Sequence, residues 1–404
     1  MPAYSMLSHE SIIDAAWKTD MRPLLLKRFP NAGRDELRQA HACAYGGSII
    51  QDMGYYPYGN KLFSDLTHYV RSGDFIQAML RDAGSLCEYA FALGALSHYA
   101  ADNEGHRLAV NLSVPLLYPK LKKKYGDVVT YEEDPAAHLR TEFGFDVVEV
   151  AQGRFAPDAY RDFIGFEVAQ PLLDRAFRET YGLELSSLLK DEQRAIGSYR
   201  HVISSIIPKA TRVAWALKKD EIQRDLPGVT RKRFLYNISR ASYEKNWGRD
   251  YRAPTAGEKF LAFLFRLMPK IGPLKALALR TPTPQAEQLF ERSFNATVAH
   301  YRELLSDYDR GKLDLVNDNF DVGSVTMPGR YRLADNAYAA LLDRLSRQNF
   351  AGMSAELRAE LLRFYSDPAA PYTTRKDRKE WARVQEELQR LQAAQPATNA
   401  AEAH

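Results

Sequence analysis

Cysteine is scarce in this sequence, which has only Cys43 and Cys87 among its 404 residues. Two cysteines are too few for a disulfide-rich scaffold, and their spacing does not match a cysteine zinc site. Both lie in segments with helical periodicity, and free cysteine is among the residue types most often buried. We therefore expect two buried free thiols, with a disulfide between them as the alternative.

Long apolar runs and a strong net charge are also missing. No run of about 18 apolar residues occurs, so the sequence predicts no membrane-spanning helix. The net charge of +4 is small for this length and does not suggest the concentrated basic face typical of nucleic-acid-binding proteins, so we expect no stable nucleic-acid partner. The first ten residues, MPAYSMLSHE, lack the basic start and apolar core of a signal peptide.

Strand-like alternation of apolar and polar residues is scarce. Only residues 125–134 (YGDVVTYEED) offer a short strand, and a loop is an equal alternative there. Apolar residues instead recur at spacings of three and four, which predicts an all-α fold. The predicted helical segments are 9–17, 34–53, 74–102, 134–152, 157–178, 189–222, 333–347, 354–365 and 374–393, and a further helix is predicted to start at TPTP (281–284).

The chain is long enough for one large domain or two ordinary ones. We expect a helical domain over residues 1–205, a further helical C-terminal region of unknown role over 206–392, and a disordered tail over 393–404. The most apolar stretch, residues 259–279, is broken by two prolines. A pair of core helices is the favoured interpretation of that stretch, and peripheral contact with anionic lipid is the alternative.

The histidines are concentrated in the N-terminal part of the chain. The segment LSHYAADNEGH places His98, Asp102 and His106 four residues apart, and HLRTE repeats this spacing with His138 and Glu142. On a helix, residues four apart share one face with Cβ atoms about 5–6 Å apart. An imidazole and a carboxylate so placed can bind one zinc ion. A buried hydrogen-bonded His–Asp pair is the alternative for the first segment taken alone.

Three further residues, His9, Asp52 and His68, precede these segments. The complete order, His, Asp, His, then His-x3-Asp-x3-His, then His-x3-Glu, resembles the zinc-dependent phospholipase C family. Its superfamily also contains the fungal-type single-strand nucleases and glycosylphosphatidylinositol-specific phospholipase D. The resemblance is clear over residues 4–145 and loose over 146–205. Asp102 and His106 are four residues apart, whereas the corresponding step is six in many bacterial phospholipases C and closer to four in the glycosylphosphatidylinositol phospholipase D branch. This difference leaves the subfamily, and hence the head group, open.

The resemblance implies a multi-helical domain that binds two to three zinc ions per chain. The ligands of one zinc would be Asp52, His68, His98 and Asp102. The ligands of a second zinc, which keeps a position open for water, would be His106, His138 and Glu142. A third zinc would be held by His9 and a bridging Asp102, together with the amine and carbonyl of an aromatic N-terminal residue, here Tyr4.

The resemblance further implies a phospholipase C-type hydrolase that attacks a phosphodiester with a metal-activated water. Asp52 is the catalytic candidate, because a carboxylate beside the metal can orient or deprotonate that water. Tyr55, Tyr56 and Tyr69 are candidates for binding the substrate head group, since aromatic faces attract quaternary ammonium groups. Packing within the protein is an equal alternative for these tyrosines. A single-strand nuclease or nucleotidase with the same metals, and a non-catalytic protein stabilised by zinc, are the other functional hypotheses.

The assignment of Tyr4 requires a free amine at that residue. Cleavage of an upstream secretory signal after Ala3 would create this amine, and the small residues before Tyr4 resemble the end of a cleavage site. We therefore expect a periplasmic or secreted protein if such a signal precedes this sequence, and a cytoplasmic one otherwise.

Overall fold

The computed structural model describes residues 4–152, 166–201, 223 and 282–394. These residues are mostly helical, and the prediction of an all-α fold is confirmed. The only sheet among them is a two-stranded antiparallel hairpin of β1 (Asp318–Asn319) and β2 (Ser324–Val325). Within the same ranges, no helix has the length and apolar character needed to cross a bilayer.

Helices dominate both described parts of the chain. The first part contains α1 (Met6–Ala16), α2 (Arg22–Arg28), α3 (Arg34–Ile49), α4 (Lys61–Tyr69), α5 (Ser72–Asp82), α6 (Leu86–Gly105), α7 (Asn111–Leu117), α8 (Pro119–Tyr125), α9 (Pro135–Gln152), α10 (Gln170–Tyr181) and α11 (Glu192–His201). The second part contains α12 (Pro284–Asp309), α13 (Arg332–Arg347), α14 (Ala355–Phe364) and α15 (Arg378–Ala393). Short helical turns lie at Trp17–Met21, Ile50–Tyr55, His106–Val110, Leu185–Ser187 and Thr373–Lys376.

Helices α3 and α6 cross closely because glycines line their contact. A Cβ atom at Gly47 would lie 1.9 Å from a carbonyl oxygen of α6, and one at Gly94 would lie 2.1 Å from a carbonyl oxygen of α3. No side chain fits at these distances, so only glycine permits this approach of the two backbones. The close crossing brings the carbonyl oxygen of Ser48 within 2.9 Å of His98 Nδ1.

A disulfide between Cys43 and Cys87 joins the same two helices, with the Cα atoms 5.5 Å apart. The expectation of two free thiols is therefore wrong. Burial predicted from the sequence does not distinguish a buried free thiol from a cysteine in a disulfide. The two side chains meet only because α3 and α6 cross closely. The residues are 44 positions apart, and a disulfide that closes a loop of this size stabilises a fold by about 2–4 kcal/mol.

The predicted helix over residues 74–102 is two helices, because the chain breaks between α5 and α6. Ser85 caps the start of α6: its Oγ accepts a hydrogen bond from the Glu88 amide, and the Glu88 carboxylate accepts one from the Ser85 amide. This capping box begins a new helix. Apolar periodicity continues across the break, so the periodicity alone did not reveal it.

The C-terminal helices pack directly on the N-terminal ones. Helix α12 packs along α6, where the Tyr301 hydroxyl donates to the Leu93 carbonyl at 2.9 Å, and α13 packs on α4. The β1–β2 hairpin lies between α12 and α13 in sequence and contacts α4. The predicted boundary near residue 205, the apolar stretch 259–279 and the tail from residue 395 lie outside the described residues.

Candidate metal centre

Three groups of buried histidines and carboxylates lie within the helical core, and within each group the ligand atoms are at most 4.8 Å apart. The three groups are His9, His98 and Asp102; Asp52, His68 and His98; and His106, His138 and Glu142. Every one of these side chains is at most 1% exposed. The first two groups share His98. The structure therefore places every predicted side-chain ligand in one of three buried groups, which we refer to together as the centre.

These ligands come from elements that are distant in the sequence. They are contributed by α1 (His9), the helical turn Ile50–Tyr55 (Asp52), α4 (His68), α6 (His98 and Asp102), the turn that continues α6 (His106) and α9 (His138 and Glu142). That turn, His106–Val110, is π-helical, and π-helical turns within helices are frequent at functional sites.

Helix α1 is fixed in place by a carboxylate from α9. Asp146 accepts hydrogen bonds from the Leu7 and Ser8 amides at 3.0 and 3.1 Å and from the Ser8 hydroxyl at 2.6 Å. The first amides of a helix have no partner within the helix, and a carboxylate at this end satisfies them. Asp146 therefore positions the residue that follows, His9, relative to α9.

The ligand atoms of the first two groups converge on Asp102. His68 Nε2 and His98 Nε2 each lie 3.4 Å from Asp102 Oδ2, and His9 Nε2 lies 3.5 Å from Asp102 Oδ1. Asp52 Oδ1 lies 3.4 Å from His68 Nε2. These separations exceed the usual N–H···O distance of about 2.9 Å. The two oxygens of Asp102 thus face different histidines, as a carboxylate that bridges two metal ions would.

The tautomers of two histidines are set by backbone carbonyls. His98 Nδ1 lies 2.9 Å from the Ser48 carbonyl oxygen, and His68 Nδ1 lies 2.7 Å from that of Ser64. A carbonyl oxygen only accepts hydrogen bonds, so each Nδ1 carries the proton and donates it. In the neutral form of each ring, Nε2 then presents its lone pair to the centre, which is the arrangement found in metal-binding histidines.

The third group has the opposite tautomer. His138 Nε2 donates to the Val129 carbonyl at 2.6 Å, which leaves Nδ1 to face Glu142 Oε1 at 3.7 Å. His106 completes this group, and its Nε2 lies 3.1 Å from Asp321 Oδ1. The ring nitrogen that faces the group therefore differs between His138 and the histidines of α4 and α6.

Several buried polar atoms of the centre lack a hydrogen-bond partner among the described residues. They include both ring nitrogens of His9, both carboxylate oxygens of Asp52 and Oε1 of Glu142. Burying polar groups without partners is costly, and a metal ion supplies the missing interaction. Imidazoles and carboxylates are common donors in catalytic zinc sites. The residues present therefore fit zinc.

Residues 8–190 match the family model for zinc dependent phospholipase C. This segment belongs to the zinc-dependent phospholipase C family. It contains eight of the nine predicted metal ligands, all except Tyr4. We refer to residues 8–190 as the phospholipase C domain. The comparisons with curated proteins and with solved structures give no match.

Asp321 contacts a ligand of the centre, His106, from outside the phospholipase C domain, and the sequence did not reveal this contact. It is fully buried in the turn between β1 and β2. The only local signal is the acidic turn DNFDVG (residues 318–323), a pattern that also occurs in solvated loops. No helical spacing relates Asp321 to His106, because the two residues meet only through tertiary packing.

Burial shifts the protonation of the phospholipase C domain ligands in ways that bear on metal binding. Burial lowers the pKa of His9 and of His138 to about 4, so both are neutral at pH 7. Burial also lowers the pKa of His68, but two neighbouring carboxylates outweigh this effect and raise it to about 9. Burial raises the pKa of Glu142 to about 8. Because ligands bind zinc in their deprotonated form, zinc must displace protons from His68 and Glu142. The affinity for zinc therefore decreases as the pH is lowered.

The three tyrosines predicted to bind substrate occupy different environments. The Tyr55 ring is partly exposed and lies 5.9 Å from the His68 ring. Tyr56 is partly exposed and packs on Tyr199, with ring centroids 4.3 Å apart. Tyr69 is fully buried, and its hydroxyl donates to a carboxylate of the C-terminal region. Substrate binding by these residues stays a prediction, and Tyr55 has the position best suited to it.

Tyr4 lies beside the centre with its side chain buried. Its ring packs at 6.1 Å from the His9 ring and 5.4 Å from the Phe290 ring, and its hydroxyl hydrogen-bonds to Ser293. These contacts hold the residue near one of the ligands of the predicted third zinc. Coordination by its main chain stays a prediction, because residues 1–3 lie outside the described residues.

Proposed function

We propose that the protein is a phosphodiester hydrolase of the phospholipase C type that acts on phospholipid and binds two to three zinc ions per chain. The observation that carries this proposal is the set of three converging ligand groups, two of which share His98. Structural zinc sites are closed and mostly use cysteine, whereas these groups contain none. Bound zinc lowers the pKa of water, clamps the phosphoryl oxygens and stabilises the leaving oxygen.

We propose Asp52 as the general base that accepts the proton of the attacking water. Its two oxygens are buried, have no hydrogen-bond partner among the described residues, and lie beside His68. A carboxylate in this state can accept a hydrogen bond from water and then its proton. Asp102 has a different role, because its two oxygens face three histidines at 3.4–3.5 Å, as those of a carboxylate that would bridge two metal ions do.

Zinc-loaded protein should release a phosphorylated head group and diacylglycerol from vesicles of phosphatidylcholine or phosphatidylinositol. Single-stranded DNA should remain intact under the same conditions. The measurement is product analysis with the three substrates side by side, and chelator-treated protein is the control. Cleavage of the DNA without lipid hydrolysis would favour the nuclease hypothesis. Zinc-loaded protein that hydrolyses none of the three would contradict the proposed function.

We also propose that the protein is exported. The Cys43–Cys87 disulfide supports this proposal, because disulfides persist in the periplasm and outside the cell and are rare in the reducing cytosol. Export would also allow the processing that gives Tyr4 a free amine. Peripheral membrane contact through residues 259–279 stays a prediction, since these residues lie outside the described ones.

Protein purified from its native host should be found in the periplasmic or secreted fraction and should begin at Tyr4. Cell fractionation followed by N-terminal sequencing measures both properties. An intact Met1 or Pro2 would contradict processing at Tyr4, and a cytosolic protein with two reactive thiols would contradict export.

A further inference from the structure

Two tyrosines, Tyr55 and Tyr131, lie against two of the three ligand groups. The Tyr131 ring lies 6.0 Å from the His138 ring and 6.3 Å from the Tyr55 ring. The Tyr55 ring in turn lies 5.9 Å from the His68 ring. His68 and His138 belong to different ligand groups, so this pair of tyrosines reaches from one group to the other.

The pair also reaches toward the surface of the protein. The Tyr55 side chain is partly exposed, and its hydroxyl donates to Asp65 Oδ1 at 3.5 Å. Asp65 pairs with Lys61, whose side chain is 53% exposed. A phosphodiester that approaches the centre from this side would therefore meet the two tyrosines beside the ligand histidines.

The Tyr131 hydroxyl has no hydrogen-bond partner among the described residues, although only 4% of this residue is exposed. Buried tyrosine hydroxyls usually have such a partner. The hydroxyls of Tyr69 and Tyr331, for comparison, both donate to Asp321. The Tyr131 hydroxyl is thus a buried donor that the described fold does not use and that a bound substrate can use.

Tyr131 keeps its proton at neutral pH and is therefore available as a donor. Burial, together with the nearby carboxylates of Asp321, Glu142, Asp65 and Asp52, raises the pKa of its hydroxyl above the ordinary value of 10.0. Two of these carboxylates, those of Asp52 and Glu142, belong to different ligand groups. The hydroxyl therefore lies close to the atoms that would hold the metal ions.

The backbone on both sides of Tyr131 is anchored. Before it, the Val129 carbonyl accepts a hydrogen bond from His138 Nε2 at 2.6 Å. After it, the Glu132 amide donates to the Tyr331 hydroxyl at 3.2 Å. A donor that is held in place before the substrate binds needs no rearrangement during the reaction, and this makes preorganised donors effective in catalysis.

We propose that the Tyr131 hydroxyl donates a hydrogen bond to a phosphoryl oxygen of the bound phosphodiester. The inference rests on the proposed function, which supplies the phosphodiester. Phosphoryl oxygens carry negative charge throughout the hydrolysis, and donors directed at such oxygens lower the barrier. The hydroxyl is not a metal ligand in this assignment, so the position for water on the zinc of His138 stays open.

The variant Tyr131→Phe keeps the ring and removes only the hydroxyl. Inorganic phosphate is the probe, and calorimetry on the zinc-loaded protein measures its affinity. Phosphate should bind about 10- to 100-fold more weakly to the variant, which is the loss expected for one hydrogen bond to a charged group. Turnover of phospholipid should fall by roughly 10²-fold, as it does when one donor to a developing negative charge is removed. The zinc content should be unchanged.

Tyr125→Phe is the matched control. Tyr125 ends α8, and its partly exposed side chain accepts a hydrogen bond from Lys124 Nζ at 2.6 Å. Its loss of a hydroxyl should leave both the phosphate affinity and the turnover equal to those of the unaltered protein.

The outcomes separate this assignment from the proposed function. Phosphate affinity and turnover that match the unaltered protein in Tyr131→Phe would overturn the assignment alone. A lower zinc content in Tyr131→Phe would also overturn it, because the hydroxyl would then support the metal centre and not the substrate. Weaker phosphate binding by Tyr131→Phe, in a protein that hydrolyses no phosphodiester, would support the hydroxyl as a phosphate donor and contradict the proposed function alone.

Discussion

Replacing His98 with alanine should lower the zinc content by one to two ions per chain. His98 belongs to two of the three ligand groups, and its Nε2 lies 3.4 Å from both His68 Nε2 and Asp102 Oδ2. Its removal therefore deprives two groups of a ligand at once. The group of His106 does not include His98 and should keep its metal. Elemental analysis of protein purified without chelator and without tag histidines gives zinc per chain.

His41→Ala is the matched control for this measurement. His41 stacks on Trp17 at 4.0 Å and hydrogen-bonds to Asp14 at 2.9 Å, and it belongs to none of the described ligand groups. Its loss should leave the zinc content unchanged. Because bound metal contributes to folding free energy, only His98→Ala should also lose part of the rise in unfolding temperature that added zinc produces. An unaltered protein that is well folded and free of zinc would refute the metal centre.

The helices and their paired ligands could be predicted because they depend on local spacing. A four-residue step puts His98 and Asp102 on one face of α6, and the same step pairs His138 with Glu142 on α9. This geometry holds wherever the segment is helical, whatever packs against it. The resemblance to the zinc-dependent phospholipases C then linked these pairs to ligands on other helices, which spacing alone could not do.

The features that escaped prediction depend on which elements approach each other in space. The Cys43–Cys87 disulfide requires the close crossing of α3 and α6, which the glycines permit. Asp321 reaches the centre because α12 and α13 pack on the N-terminal helices and carry the hairpin between them. Residues in turns have no fixed periodicity, so their partners cannot be inferred from spacing. The tautomers of the histidines likewise depend on backbone carbonyls of neighbouring segments.

Replacing Asp52 with asparagine should reduce turnover by roughly 10²- to 10⁴-fold, the range expected when a general base is lost. The amide has nearly the same size as the carboxylate and keeps an oxygen that can contact a metal, but it cannot accept a proton at neutral pH. The fold and most of the bound zinc should therefore remain. The measurement is the initial rate of head-group release at saturating zinc and lipid, together with zinc per chain.

The effect should be specific to this carboxylate. Asp74→Asn makes the same chemical change on α5, where Asp74 pairs with Arg71 at 2.6 Å and lies in none of the described ligand groups. Its turnover should be unchanged. A non-catalytic zinc protein would show no turnover in any form, so a measurable rate that falls only in Asp52→Asn separates catalysis from structural zinc binding. An unchanged rate in Asp52→Asn would instead assign the proton transfer to another group in the centre.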